Sequence, residues 1–393
     1  MQLKKIISFA VMLCVICSCK NKATKTEDEE ISSKQVILQA SKTNLKLQGF
    51  DTIIDNKKAG LYWLNNDSII AAFTNYGGRL VGLWVPDKNG KMTDVVVGMN
   101  SATAYANSTE PYFGATIGRV GNRIAKGNFA LNGKNYTIPT NNNGNTLHGG
   151  NKGFQYVVFD ASQPDEKTLV LQYKSPDGEE GFPGNLNVKV TYSLTSDRAV
   201  KMEYEATTDQ PTPVNLTNHA FFNLNGEGSG SILNHRVQIY ADKFTPVDGG
   251  LIPSGELRNV ANTPFDFTDA HTIGERIKTE NKQLENGGGY DHNFVLNANQ
   301  GEEMNHAATV IGDKSGIEMN IYTQEPGLQF YSGNFMQSKN SFKSGATDDY
   351  RTSFAMETQH FPDALNQPKF PSIILNPGDV YHTISIYRFD IQQ

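Results

Sequence analysis

The chain has 393 residues, of which 19% are charged and 38% hydrophobic, with a formal net charge of −6. That balance, with no basic stripe to neutralise phosphates, excludes nucleic acid as the main partner. No apolar run reaches about 18 residues, so no spanning helix is expected. The aromatic and apolar content excludes a chain disordered throughout.

The first segment has its own character. Lys4 and Lys5 precede an apolar run from Ile6 to Ile16, and the three cysteines are Cys14, Cys17 and Cys19. A basic start followed by a short apolar stretch reads as a secretory signal peptide. Ile16-Cys17-Ser18-Cys19 resembles a bacterial lipobox, in which cleavage leaves Cys19 as the lipidated first residue. Residues 1–18 are then the leader, and 19–44 the lipidated Cys19 and an acidic, polar tether including Glu27-Asp28-Glu29-Glu30. A plain signal peptide and a buried apolar segment are the alternatives. On the lipoprotein reading the mature chain has no disulfide. It sits outside the cytoplasm and touches a membrane only through its anchor, in the periplasm or at the outer membrane. Lys20 after Cys19, in place of Asp, favours an outer membrane.

From about residue 45 onward, apolar alternation recurs in short blocks. Strands are expected at Ser68–Thr74, Arg79–Val85, Thr93–Met99, Phe154–Asp160, Thr168–Tyr173, Leu186–Leu194 and Ala199–Ala206. Others follow at Val237–Ala241, Ala308–Ile311, Ile317–Thr323, Leu328–Ser332 and Val380–Phe389. Turn chemistry bounds many of them: Asp87-Lys88-Asn89-Gly90, Asn132-Gly133, Pro176-Asp177-Gly178 and Pro377-Gly378-Asp379. Only His271–Leu284 reads as helical. The 36 glycines, and 21 Phe with 16 Tyr against 2 Trp, agree with many strands and tight turns. Residues 45–393 are therefore expected to form one all-β domain, a sandwich or barrel rather than βαβ units.

The phosphate-binding loop, the dinucleotide fingerprint, the zinc-protease helix and the nucleophile elbow are all missing from the sequence. What remains is polar residues in apolar or glycine-rich settings. Gly118–Ile124 carries Arg119, Asn122 and Arg123 between glycines, and either arginine could instead pair an internal carboxylate. His148 precedes Gly149 and Gly150, where backbone can approach a ligand. On a strand, Asn215, Thr217 and His219 share one face, with Asn218 and Phe222 on the other. Within Ser353–Asp363, Glu357 sits in an otherwise apolar strand, flanked by Met356 and aromatics, so it must be paired or have a raised pKa, as a general acid or base requires. A salt bridge to Arg119 or Arg123 is the structural alternative. Gly287-Gly288-Gly289 leads into Asp291, His292 and Asn293, either a loop feeding a pocket or a surface turn. No local spacing suits a metal, and none is expected.

Taken in order, NYGGRLVGLWVPDKNG, GATIGRVGNRIAKG, NTLHGG, SPDGEEGFPGNL, VNLTNHAFFNLNG, GGYDHNFVL, PGLQFYSGNF and FAMETQHFPDALNQPKFPS resemble the aldose 1-epimerase (galactose mutarotase) family. The resemblance runs from about Thr74 to Tyr387. It implies a large antiparallel β-sandwich with few short helices. It also implies anomer interconversion of free aldoses by ring opening and reclosure, without cofactor or metal. By motif, Glu357 is the general base and His219 the general acid. Asn122, Arg123, His148, Asp291 and Gln329 bind the sugar. The implied partner is a free monosaccharide such as galactose or glucose, and the implied state a monomer or weak dimer. A phosphosugar epimerase would want a basic cluster that is not visible. A pure sugar-binding lipoprotein would not need both Glu357 and His219. A glycoside hydrolase would need a second carboxylate, for which Asp291 is the candidate.

Overall fold

The computed structural model describes residues 45–298 and 303–392. The leader, Cys19 and the tether lie outside the described residues. Strands dominate, and the α-helices among the described residues are three short ones: Ala102–Ala106, Ile273–Arg276 and Lys282–Gly287.

The largest sheet has nine strands. In spatial order they are Asp160–Asp165, Thr168–Ser175, Leu186–Leu194, Ala199–Thr208, Tyr381–Ile391, Ile317–Thr323, Asn305–Ile311, Arg236–Ile239 and His271–Thr272. All neighbours are antiparallel. Its central strands alternate buried and solvent-facing residues along Leu186–Leu194 and Tyr381–Ile391. One face therefore packs on the core while the other meets water, which is the period-2 pattern legible in the sequence.

A second sheet has seven strands: Arg258–Asn259, Lys243–Phe244, Asp291–Val295, Gly327–Tyr331, Phe354–Gln359, Phe221–Phe222 and Val96–Val97. Gly327–Tyr331 and Phe354–Gln359 are buried at every position. Phe354, Met356, Leu328 and Phe330 face the shared core. Ala355, Glu357, Gln329 and Tyr331 have the opposite parity, so the second buried face carries polar groups. The two large sheets are tied directly. Tyr387 Oη donates to the Met356 carbonyl, Thr358 Oγ1 meets Ser385 Oγ at 2.7 Å, and the Phe222 and Tyr387 rings lie 5.7 Å apart. A four-stranded sheet, Leu61–Asn65, Ile70–Thr74, Arg79–Pro86 and Met92–Asp94, packs on the same core.

Three sequence expectations shift. Thr93–Met99 is not one strand. Met92–Asp94 belongs to the four-stranded sheet and Val96–Val97 to the seven-stranded one. Asp94 holds the switch, its Oδ1 accepting from the amides of Leu83 and Val96. Phe154–Asp160 opens as a 3₁₀ turn, Phe154–Tyr156, because Phe154 packs edge-on against Phe159 and Tyr173 rather than extending. His271–Leu284 is a two-residue strand and two separate helices. Asn281 ends the run by capping the second helix, its side chain accepting from Gln283 N. The turns behave as read. Asn132 and Gly133, both at positive φ, close the hairpin of Asn128–Leu131 with Lys134–Thr137.

Candidate active site

The polar face of the seven-stranded sheet forms the floor of a cavity of about 430 Å³. Strand register sets what faces it. Phe221 pairs with Ala355, and extending that antiparallel register places His219 opposite Glu357. Glu357 pairs with Gln329, and Tyr331 with Asp291. Three chain segments distant in sequence thus place His219, Glu357 and Asp291 on one surface.

The His219 Nε2 to Glu357 Oε1 distance is 3.5 Å, with both side chains almost fully buried. Glu357 Oε2 and His219 Nδ1 have no hydrogen-bond partner. Burial pushes the Glu357 carboxyl well above the usual range, and nearby Asp291 adds to the shift while Arg123 opposes it. Burial pushes His219 down to about 3. Both shifts disfavour charge on the pair. The His219 ring lies between Phe221, stacked at 4.8 Å, and Tyr112 at 5.7 Å.

The opposite wall comes from Gly118–Ile124 and Thr146–Gly150. Arg123–Ile124 pairs with Thr146–Leu147. Asn122 takes a left-handed φ of 58° and His148 one of 49°. The Asn122 amide donates to His148 Nδ1 at 3.1 Å, and the His148 amide donates back to the Asn122 carbonyl at 3.0 Å. An accepting Nδ1 leaves the neutral ring's proton on Nε2. His148 stays neutral, since burial lowers its pKa well below the ordinary value and His219 and Arg123 lower it further. Gly149 has to be glycine: its φ is +84°, and a Cβ would stand 2.0 Å from the Gly118 carbonyl. Arg123 reaches Asn142 Oδ1 at 3.5 Å and keeps an unpartnered Nε. Asp291 is held by Gln329 Nε2 at 2.6 Å. Burial raises the Asp291 carboxyl, against Arg123 and that bond.

Asn122, Arg123, His148, His219, Asp291 and Glu357 all line the cavity. Gln329 stands beside them on the floor, bonded to Asp291. The two arginines of the glycine-flanked segment part company. Arg119 turns away into a cradle of Ser175, Pro176, Pro183 and Thr212 oxygens. Neither arginine forms an ion pair with Glu357 among the described residues. His292 also turns away, its Nδ1 accepting from the Asp291 amide and its Nε2 near Gln283.

Two wall residues escaped the sequence reading. Tyr112 packs edge-on against His148 at 4.5 Å, and Glu110 lines the cavity beside it. Their signal was a carboxylate and an aromatic around Pro111, just ahead of the glycine-rich segment. Buried Arg79 fixes that wall by donating to the carbonyls of Phe113 and Gln155. One grouping was invisible in local spacing. His148, His219 and Glu357 bring potential ligand atoms within 4.8 Å of one another, and these are the residues that could hold a metal ion.

An antiparallel sandwich that buries a histidine and a glutamate side by side in a polar cavity has the chemical groups of an acid–base enzyme site. The aldose 1-epimerase family model matches residues 60–388. Galactose mutarotase of Bos taurus is 42% identical over 330 residues, covering 84% of this chain and 94% of that one. Aldose 1-epimerase of Escherichia coli K12 is 36% identical over 327 residues, covering 83% and 93%. A solved aldose epimerase homologue from C. elegans superposes with a TM-score of 0.79 at 29% identity, covering 85% of this chain and all of that one. The chain belongs to the aldose 1-epimerase family, whose members are carbohydrate isomerases.

Proposed function

We propose that the chain interconverts the α and β anomers of free aldoses such as galactose and glucose, using its own side chains and no cofactor. The observation that carries this is the 3.5 Å approach of His219 Nε2 to Glu357 Oε1 in the cavity. The two sugar oxygens that exchange protons, O1 and the ring oxygen O5, are bonded to the same carbon. The base and the acid must therefore end within a few ångströms of each other, as these two do.

The step starts from ionised Glu357 and protonated His219, a charged form that burial disfavours and that hydrogen bonds from the sugar hydroxyls to Glu357 offset. Glu357 accepts the O1 proton, the O1 electron pair forms the C1=O1 bond, and the C1–O5 bond breaks. His219 gives its proton to O5, leaving the open-chain aldehyde. Rotation about C1–C2 presents the other carbonyl face, and the same groups run in reverse. His148, donating from Nε2, and Arg123 stabilise charge that develops on the ring oxygen and orient hydroxyls. Asp291, oriented by Gln329, and Asn122 accept and donate further hydroxyl bonds. The names of the curated relatives support galactose as a substrate.

The test follows the optical rotation of fresh α-D-galactose. Wild type should accelerate its decay. Glu357→Gln and His219→Asn should each slow it by about 10²–10⁴, the usual size of acid–base effects. Near wild-type rates with a native circular-dichroism spectrum would overturn the assignment.

We also propose that the chain is anchored through lipid on Cys19. Lys4, Lys5, the apolar run and Cys19 support this. Labelled fatty acid should enter wild type and be absent from Cys19→Ala, and equal labelling would reject it.

A further inference from the structure

A histidine that moves protons is commonly oriented by a hydrogen bond on the ring nitrogen turned away from the substrate. His219 is held differently. Its Nδ1 is buried, and no other described residue hydrogen-bonds it. Its Nε2 faces Glu357 at 3.5 Å, longer than a well-formed hydrogen bond. The backbone fixes only the Cα end of the side chain. Thr217–His219 pairs with Ala115–Ile117, and the Gly114 amide donates to the His219 carbonyl at 2.9 Å. Rotation of the ring about its side-chain bonds is left to packing.

Rings from three segments supply that packing. Phe221 stacks on His219 at 4.8 Å, His148 meets it edge-on at 5.1 Å, and Tyr112 lies at 5.7 Å with the two planes 24° apart. Phe221 has its own support in the seven-stranded sheet and against Phe113 at 4.5 Å. His148 is fixed by its reciprocal bonds with Asn122. Tyr112 joins the two histidines, since its ring also packs on His148 at 4.5 Å. The tyrosine is itself pinned. The Ala115 amide donates to its carbonyl at 2.9 Å, Arg79 donates to the next carbonyl, that of Phe113, at 2.8 Å, and Asn141 meets its phenol. Interior side chains stay in place because their neighbours leave no room. Taking the Tyr112 ring away would open space beside both imidazoles at once.

We propose that Tyr112 is a positioning residue for the acid: its ring, and not its hydroxyl, holds the His219 imidazole where Nε2 can serve both Glu357 and the ring oxygen of the sugar. The inference rests on the anomerase reading above and adds to it the residue that stands in for a hydrogen-bonded orienter. Its effect belongs in kcat, because a reacting group displaced by about 1 Å loses up to about 10²-fold in rate.

The experiment follows galactose anomerisation by polarimetry in wild type, Tyr112→Leu, Tyr112→Phe, His219→Asn and the double variant Tyr112→Leu/His219→Asn. Tyr112→Leu should lower kcat by about 10–10²-fold with KM little changed. Tyr112→Phe restores the ring and should recover most of that loss. In the His219→Asn background the leucine should cost nothing further, because a residue acting through His219 has nothing left to position. An equal fall in both backgrounds would overturn the proposal, as would an effect on KM alone. A loss in Tyr112→Phe as large as that in Tyr112→Leu would also overturn it, and would give the hydroxyl a direct part at the sugar. If Tyr112→Leu does not fold, the phenylalanine variant still decides between ring and hydroxyl, and Tyr112→Met, closer in volume, replaces leucine in the cycle. A crystal structure of wild type supplies a check without any variant. It should show His219 Nδ1 free of side-chain and water bonds, and an ordered partner on that atom would overturn the proposal. Failure of wild type to anomerise galactose would overturn the anomerase reading itself, whereas turnover that Tyr112→Leu leaves unchanged removes only this inference.

Discussion

Glu357 and His219 carry opposite burial penalties, and each has a pH signature. Glu110 offers the clearest case, since burial pushes its carboxyl from 4.5 to about 7. Below pH 4.5 the folded and unfolded chains both hold that proton. Between 4.5 and 7 the unfolded chain releases it while the folded chain keeps it, so stability falls as pH rises. Above 7 the penalty is constant. Glu110→Gln should therefore unfold at a higher temperature than wild type at pH 8, with no gain at pH 4. An equal gain at both would show that the carboxyl is not titrating in this window. Glu357→Gln should follow the same rule, being at least as stable as wild type at pH 7 while inactive. His219 has the opposite sign. Its depressed folded pKa costs stability as pH falls below 6.5, where the unfolded imidazole takes up a proton first. A site whose acid and base both pull against folding is the expected cost of storing function in a core.

At the scale of elements, the site depends on backbone shapes that few residues permit. Glycine at 149 lets the His148 turn lie against the Gly118 carbonyl, and the reciprocal Asn122–His148 bonds lock the two segments together. Gly149→Ala would meet both the 2.0 Å clash and a left-handed φ. It should cost about 1–3 kcal/mol or more and lower kcat, because His148 would no longer hold its tautomer. Urea unfolding and polarimetry on the same preparation would check both. A variant with full stability and low activity, or the reverse, would show that the two effects are separable.

Over the whole molecule, the two large sheets share one core, and the floor strand is tied to the central C-terminal strand by Tyr387 Oη on the Met356 carbonyl. Met356 directly precedes Glu357. Tyr387→Phe removes one buried hydrogen bond to that carbonyl, at about 0.5–1.5 kcal/mol. The loss should appear in urea unfolding, together with a smaller fall in kcat from a loosened Glu357. No change in stability would mean that water or another donor takes the place of the phenol.

The strand blocks, the hairpin turns and the parity of His219 were legible in the sequence, because side-chain alternation and turn chemistry are local properties of the chain. The unusual setting of Glu357 was legible for the same reason, as a lone carboxylate among apolar neighbours. The eight ordered segments added the family and with it a set of roles. Other decisions were not local. Nothing near Arg119 or Arg123 in sequence says that one braces Ser175 while the other enters the cavity. No spacing along the chain brings His148, His219 and Glu357 within 4.8 Å, or sets Glu110 into the same wall. Those meetings depend on which strands pair and in what order. Pairing order is decided by burying the faces of the large sheets together, a free energy summed over the whole core rather than written in any one segment.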